Sequence, residues 1–137
     1  VVVLDTHIAI WLLAGDHRLT ESAAYPYIEN ASHRGILRIA SISLFELGRM
    51  SEEGVVRFDL PLPDVIDTLL ETPGLQVESI DRRIVAESVA LGGGFPGDDH
   101  DRIICATARA LRGSLVTGDS GLLRYAESGG LRTIAVQ

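Results

Sequence analysis

Short apolar runs recur along the chain, and each gives way to a stretch in which apolar positions return every three or four residues. The runs fall near residues 1–4, 36–40, 75–79, 114–117 and 132–136 and read as strands. Helical spacing falls near 7–14, 21–33, 43–52, 63–71, 81–91, 99–112 and 120–127. Strands alternating with helices predict an α/β domain with a mainly parallel sheet. Local chemistry supports several boundaries. Pro63 suits a first helical turn, Asp81 reads as an N-cap, and Gly113 and Gly129-Gly130 read as C-terminal stops. Residues 53–62 read as a helix end followed by a loop or a short extension. The run Gly92-Gly93-Gly94-Phe95-Pro96-Gly97 formally matches G-x-G-x-x-G, but it follows a helix instead of a strand, so it reads as a flexible loop and not a nucleotide fingerprint.

The 137 residues fit one domain, and 46% hydrophobic content supplies a core without disulfides. Cys105 has no partner cysteine and lies in an apolar run, which suits a small buried hydrophobe. No stretch reaches the roughly 18 apolar residues of a membrane span, and Val1 to Leu4 is too short for a signal-peptide core. A cytoplasmic protein without membrane contact is expected. The net charge is −7, and all twelve basic residues are arginine. The absence of lysine rules out a P-loop lysine, a Schiff base and a Ser-Lys dyad. An acidic total argues against a nucleic-acid coat protein, yet it leaves room for a nuclease with an acidic centre and local arginines.

The acids change the picture most. Asp5, Glu46, Asp101 and Asp119 each sit where a strand gives way to a helix or turn. In an open parallel sheet the carboxyl ends of the strands share one edge, where ligands bind, so four distant carboxylates can meet there. Such a cluster repels itself unless a cation enters or some members stay protonated. A metal-dependent enzyme is therefore the first hypothesis. Each acid also has a plainer job. Asp5 can cap the helix after it, Ser43-Leu44-Phe45-Glu46 matches a capping box, and Asp98, Asp99 and Asp101 complement a helix dipole. Asp119 suits the Gly-rich turn Gly118-Asp119-Ser120-Gly121.

Four stretches resemble PIN domains and, within them, the VapC-type ribonuclease toxins: Leu4 to Leu13, Ser41 to Leu47, Phe95 to Ala108, and Leu115 to Asp119. The resemblance spans nearly the whole chain in family order. It implies a single PIN domain over 1–137, a three-layer α/β/α sandwich around a mainly parallel five-stranded sheet. It also implies a metal-dependent endoribonuclease acting on structured RNA such as tRNA or rRNA. By resemblance, Asp5, Glu46, Asp101 and Asp119 hold one or two Mg²⁺ or Mn²⁺ ions, with Asp5 and Asp101 as the first ligands. Ser43 and Thr117 match the small hydroxyl positions beside them. Oxygen-only donors agree with these hard cations. Arg82, Arg83 and Arg102 are candidates for RNA phosphate contact. The implied partners are a VapB-type antitoxin, RNA and a second copy of the chain in a homodimer, or a toxin–antitoxin hetero-oligomer. The sequence departs from the family at Asp99 and His100, where related toxins often carry Pro and a small or aromatic residue; Asp98 and Asp99 thus stand beside Asp101 as neighbouring acids. Two alternatives are a receiver-like phosphoacceptor, disfavoured by the missing lysine, and a catalytically silent PIN interaction domain.

Overall fold

Alternation sets the layers from the first strand onward. In β1 (Val2–Leu4), Val3 and Leu4 are both fully buried but face opposite sides. Val3 packs with Ile84, Ile104 and Leu115, whereas Leu4 packs with Ile8, Ile28, Leu37 and Val116. The computed structural model describes residues 1–137. The other strands are β2 (Leu37–Ala40), β3 (Leu75–Glu78), β4 (Ser114–Thr117) and β5 (Thr133–Ala135). All neighbouring strands pair in parallel, in the order β3-β2-β1-β4-β5. A receiver of flavodoxin type orders its strands 2-1-3-4-5, so the topology counts against that alternative.

The helices are α1 (Thr6–Ala14), α2 (His17–Thr20), α3 (Tyr25–Arg34), α4 (Ser41–Glu52), α5 (Leu62–Leu70), α6 (Arg82–Ala90), α7 (Asp99–Ala110) and α8 (Ser120–Ala126). Buried residues of α1, α3 and α5 cover one face of the sheet, and those of α6, α7 and α8 cover the other. This is the three-layer α/β arrangement expected. Helix α4 leaves the end of β2 directly and packs against both α1 and α7. It therefore runs beside the carboxyl edge of the sheet.

Four local expectations are corrected. The helix expected over 21–33 starts later, at Tyr25, and a separate short helix, α2, precedes it over His17–Thr20. Asp16 caps α2 through Arg18 N–H at 2.8 Å, Ser22 Oγ accepts from Ala24 N–H at 3.1 Å, and Pro26 lies in the first turn of α3. Helix α4 begins at Ser41, so Ser43 is inside it and Ser43–Glu46 is not a capping box. The stop after α7 is not a left-handed Gly113. Arg112 takes that conformation, with φ of 54°, while Gly113 lets the backbones close: a Cβ there would stand 2.6 Å from the Val1 carbonyl oxygen. The loop 92–97 is pinned, not flexible. Phe95 is buried in the α6–α7–α8 core, edge-on to Tyr125 at 5.3 Å.

Candidate active site

Strands β1 and β4 are neighbours, but β1 continues to β2 on one side and β4 to β5 on the other. Where the order reverses, the outgoing connections part and leave a crevice at the carboxyl ends. Asp5 directly follows β1, and Asp119 follows β4 after Gly118. Glu46 enters on α4 and Asp101 on α7. The resulting cleft, of about 390 Å³, is lined by Asp5, Glu46, Asp98, Asp101 and Asp119, with His7 and Trp11 from α1. All four expected acids meet, joined by Asp98. No arginine is among the lining residues.

Hydrogen bonds hold each carboxylate and leave it acceptor capacity. Asp5 is buried; its Oδ1 accepts from Thr6 N–H at 2.8 Å and its Oδ2 from the Thr117 hydroxyl at 2.7 Å. The same Thr117 oxygen accepts from Asp119 N–H at 3.1 Å, so one buried hydroxyl ties the ends of β1 and β4 together. Asp119 Oδ1 caps α8 by accepting from Leu122 N–H at 3.0 Å. Asp98 and Asp101 form a reciprocal capping box on α7, Asp98 Oδ1 accepting at 2.8 Å and Asp101 Oδ2 at 3.2 Å. Glu46 Oε1 accepts from the Thr6 hydroxyl. Thr6 Oγ1 also lies 2.9 Å from Ser43 Oγ. A threonine hydroxyl has one proton, so when Thr6 donates to Glu46 the Ser43 hydroxyl donates to Thr6.

The field inside the cleft is strongly negative. Burial pushes the Asp101 carboxyl up to about 7, with Asp98, Asp5 and Asp119 adding repulsion against a lowering bond from Asp98 N–H. Asp5 is also raised, chiefly by burial, although Thr117 and Thr6 pull it back. Desolvation and like charge both favour the proton, and a cation would relieve both. The donors are carboxylate oxygens, the set preferred by Mg²⁺ and Mn²⁺. No three of them close around one point to form a ready cage for an ion.

Other expected residues lie elsewhere. Thr117 stands against Asp5 and Asp119 at the cleft, whereas Ser43 reaches Glu46 only through Thr6; both are buried. The Arg102 guanidinium donates to the carbonyls of Ser88 at 2.8 Å and Gly92 at 3.0 Å and lies over the Phe95 ring. It fastens α7 to the end of α6 and does not line the cleft. Arg83 pairs with Asp81 at 3.3 Å, and Arg82 is exposed; both open α6, away from the cleft lining. Asp99 is exposed and outside the lining. Three residues had been given no role at the site. Thr6 bridges Asp5, Ser43 and Glu46; a hydroxyl directly after a strand-end Asp was its signal. Gly97 is required by close approach, because a Cβ would stand 2.5 Å from Asp101 Cβ. His100 reaches Glu46, with Nδ1 3.6 Å from Oε2.

Comparison with known proteins agrees with this fold. The family model described as PIN domain matches residues 2–128. Ribonuclease VapC22 of Mycobacterium tuberculosis is 35% identical over 121 residues, covering 88% of each chain. The structure of VapBC2 from Rickettsia felis bound to a promoter DNA fragment superimposes with a TM-score of 0.70 at 17% identity, over 99% of this chain and 98% of that one. A toxin–antitoxin complex from Klebsiella pneumoniae gives a TM-score of 0.66 at 21% identity, over 100% and 98%. At those identities the two structures speak for the fold.

Proposed function

The chain belongs to the PIN-domain family, and from that premise we propose that it is a metal-dependent endoribonuclease, the toxin of a VapBC-type pair. The observation that carries the proposal is the cleft in which Asp5, Glu46, Asp101 and Asp119 converge without a balancing arginine or lysine. Relationship to a ribonuclease VapC over 88% of the chain supports the reaction class. In this reading, residues 1–137 form one PIN domain that acts in the cytoplasm on structured RNA such as tRNA or rRNA.

Asp5 and Asp101 would hold Mg²⁺ or Mn²⁺, with Glu46 and Asp119 completing the site directly or through waters. When bound, such an ion lowers the pKa of a water and offsets charge developing on a phosphodiester. The protein's own part is placement. Thr117 fixes the carboxylate plane of Asp5, Thr6 with Ser43 holds Glu46, and the α7 capping box sets Asp101. Glu46, held by the Thr6 hydroxyl and spent on no helix cap, is suited to orient the attacking water. A VapB-type antitoxin with a basic segment complements the acidic cleft electrostatically. A homodimer, or a hetero-oligomer with the antitoxin, is the assembly this reading expects.

Incubating the protein with structured RNA and Mn²⁺, beside Asp5→Asn and Asp101→Asn, tests the proposal. We expect cleavage by the wild type, its loss with chelator, and at least a hundred-fold slower cleavage by either variant, on the scale of one missing group in transition-state charge stabilisation. Equal cleavage by all three proteins would remove the assigned site.

A further inference from the structure

The cleft poses a binding problem. It is lined by five carboxylates and no arginine, while Arg102, nearest in sequence to the site, donates to backbone carbonyls. Phosphate attraction is the usual main source of nucleic-acid affinity, and here the lining residues offer none. A bound cation would meet the scissile phosphate alone, so the flanking nucleotides need another source of affinity, and aromatic rings supply one because bases stack on them whatever the local field.

Such a surface stands on the rim. Phe45 on α4 is 58% exposed and belongs to neither hydrophobic core, although Leu44, Leu47 and Met50 of the same helix pack inward. Its ring meets that of His100 edge-on, centroids 5.9 Å apart at 74°. Neither ring lines the cleft itself, but Nδ1 of His100 lies 3.6 Å from Glu46 Oε2, so the pair stands beside that carboxylate. Trp11 lines the cleft itself, with the Arg18 guanidinium over one face of its ring at 4.5 Å. Phe45 is the more exposed of the two rings.

We infer that Phe45, braced by His100, is a stacking platform for an unpaired RNA base beside the scissile phosphate. A base inside a duplex has both faces covered, so only an unpaired or extruded nucleotide can use the ring. The inference rests on the ribonuclease reading above.

The test uses the full chain carrying Asp5→Asn, so that RNA is bound but not consumed. Short single-stranded RNAs carry the fluorescent base 2-aminopurine at one position at a time, and stacking quenches it. We expect quenching at one position. Adding Phe45→Ala should abolish it and weaken binding roughly ten-fold, the scale of one lost base stack, while Phe45→Tyr keeps both. His100→Ala should reduce the quench and His100→Phe retain it. Unchanged binding and quench with Phe45→Ala would overturn the platform, as would an equal loss of affinity for a fully paired duplex. Loss of antitoxin binding with RNA binding untouched would make the rings a protein contact and overturn it too. Cleavage by the protein with Asp5 intact is scored separately. If it cuts RNA while Phe45→Ala changes nothing, the platform alone fails; if it neither cuts nor quenches, the ribonuclease reading fails with it.

Discussion

A carboxylate has two oxygens and about four lone-pair sites, so capping a helix and facing a cleft are compatible tasks for one side chain. Asp5, Asp101 and Asp119 do both. Each gives one oxygen to a backbone N–H at the start of α1, α7 or α8, and all three line the same cavity. The cap fixes the rotamer, which places the remaining acceptor sites. Thr117 carries the most of any single residue at this scale, because its hydroxyl serves Asp5 Oδ2 and Asp119 N–H at once in a fully buried position. Replacing it with valine keeps the shape and leaves two polar groups without partners. Thr117→Val should cost about 1–3 kcal/mol in urea unfolding and slow RNA cleavage, whereas Thr117→Ser should preserve both. A second pair isolates Glu46: Thr6→Val should lower kcat with little change in KM, and Thr6→Ser should restore it. Full activity in Thr6→Val would mean that the hydroxyl chain through Ser43 does not position Glu46.

Among the elements, α7 connects the site to the rest of the fold. Its first turn carries Asp101, its second residue beyond the capping Asp98 stacks with Phe45, and Arg102 anchors it to the last carbonyls of α6, where a cation also complements the helix dipole. Arg102→Ala should therefore destabilise the protein by about 1–3 kcal/mol, the range for charged hydrogen bonds. The slope of RNA affinity against salt should stay unchanged. A slope shallower by about one phosphate contact, with stability intact, would restore Arg102 to substrate binding. Gly97 acts on the same element from outside. Gly97→Ala forces the loop or Asp101 to move, since the added Cβ would stand 2.5 Å from Asp101 Cβ, and cleavage should fall more than stability does. The elements themselves were largely legible in the sequence. Buried parallel strands are short apolar runs, and the strand-end acids stand out because they interrupt them. What was not legible depends on contacts between distant residues. The start of α4 at Ser41 and the burial of Ser43 follow from the docking of α4 against α1. The engagement of Arg102 follows from the approach of α6, and the anchoring of the glycine loop by Phe95 from a pocket that Tyr125 completes.

For the molecule as a whole, the cleft is a local cost within a chain of net charge −7. Asp101 titrates near 7 when folded against an ordinary 3.8, and Asp5 is raised in the same direction. Between those values the folded state binds more protons than the unfolded one, so stability falls as pH rises. The contribution is fully present below about pH 4 and is lost by the time pH passes 7. Asp16 and Asp81 act oppositely, because their lowered values add stability that disappears only under acid. The two effects occupy separate windows and can be told apart. Without divalent ions, melting temperature followed from pH 4 to pH 8 should decline more steeply for the wild type than for Asp101→Asn, which cannot ionise there. Mn²⁺ or Mg²⁺ should raise the melting temperature of the wild type, because a ligand that binds only the folded state stabilises it. That rise should be larger at pH 7.5 than at pH 5, where protons compete for the same oxygens. Asp101→Asn should show a much smaller rise at either pH. A metal-induced rise equal at both pH values, or equal in the two proteins, would place the bound ion away from Asp101 and leave the repulsion in the cleft to be relieved by protons alone.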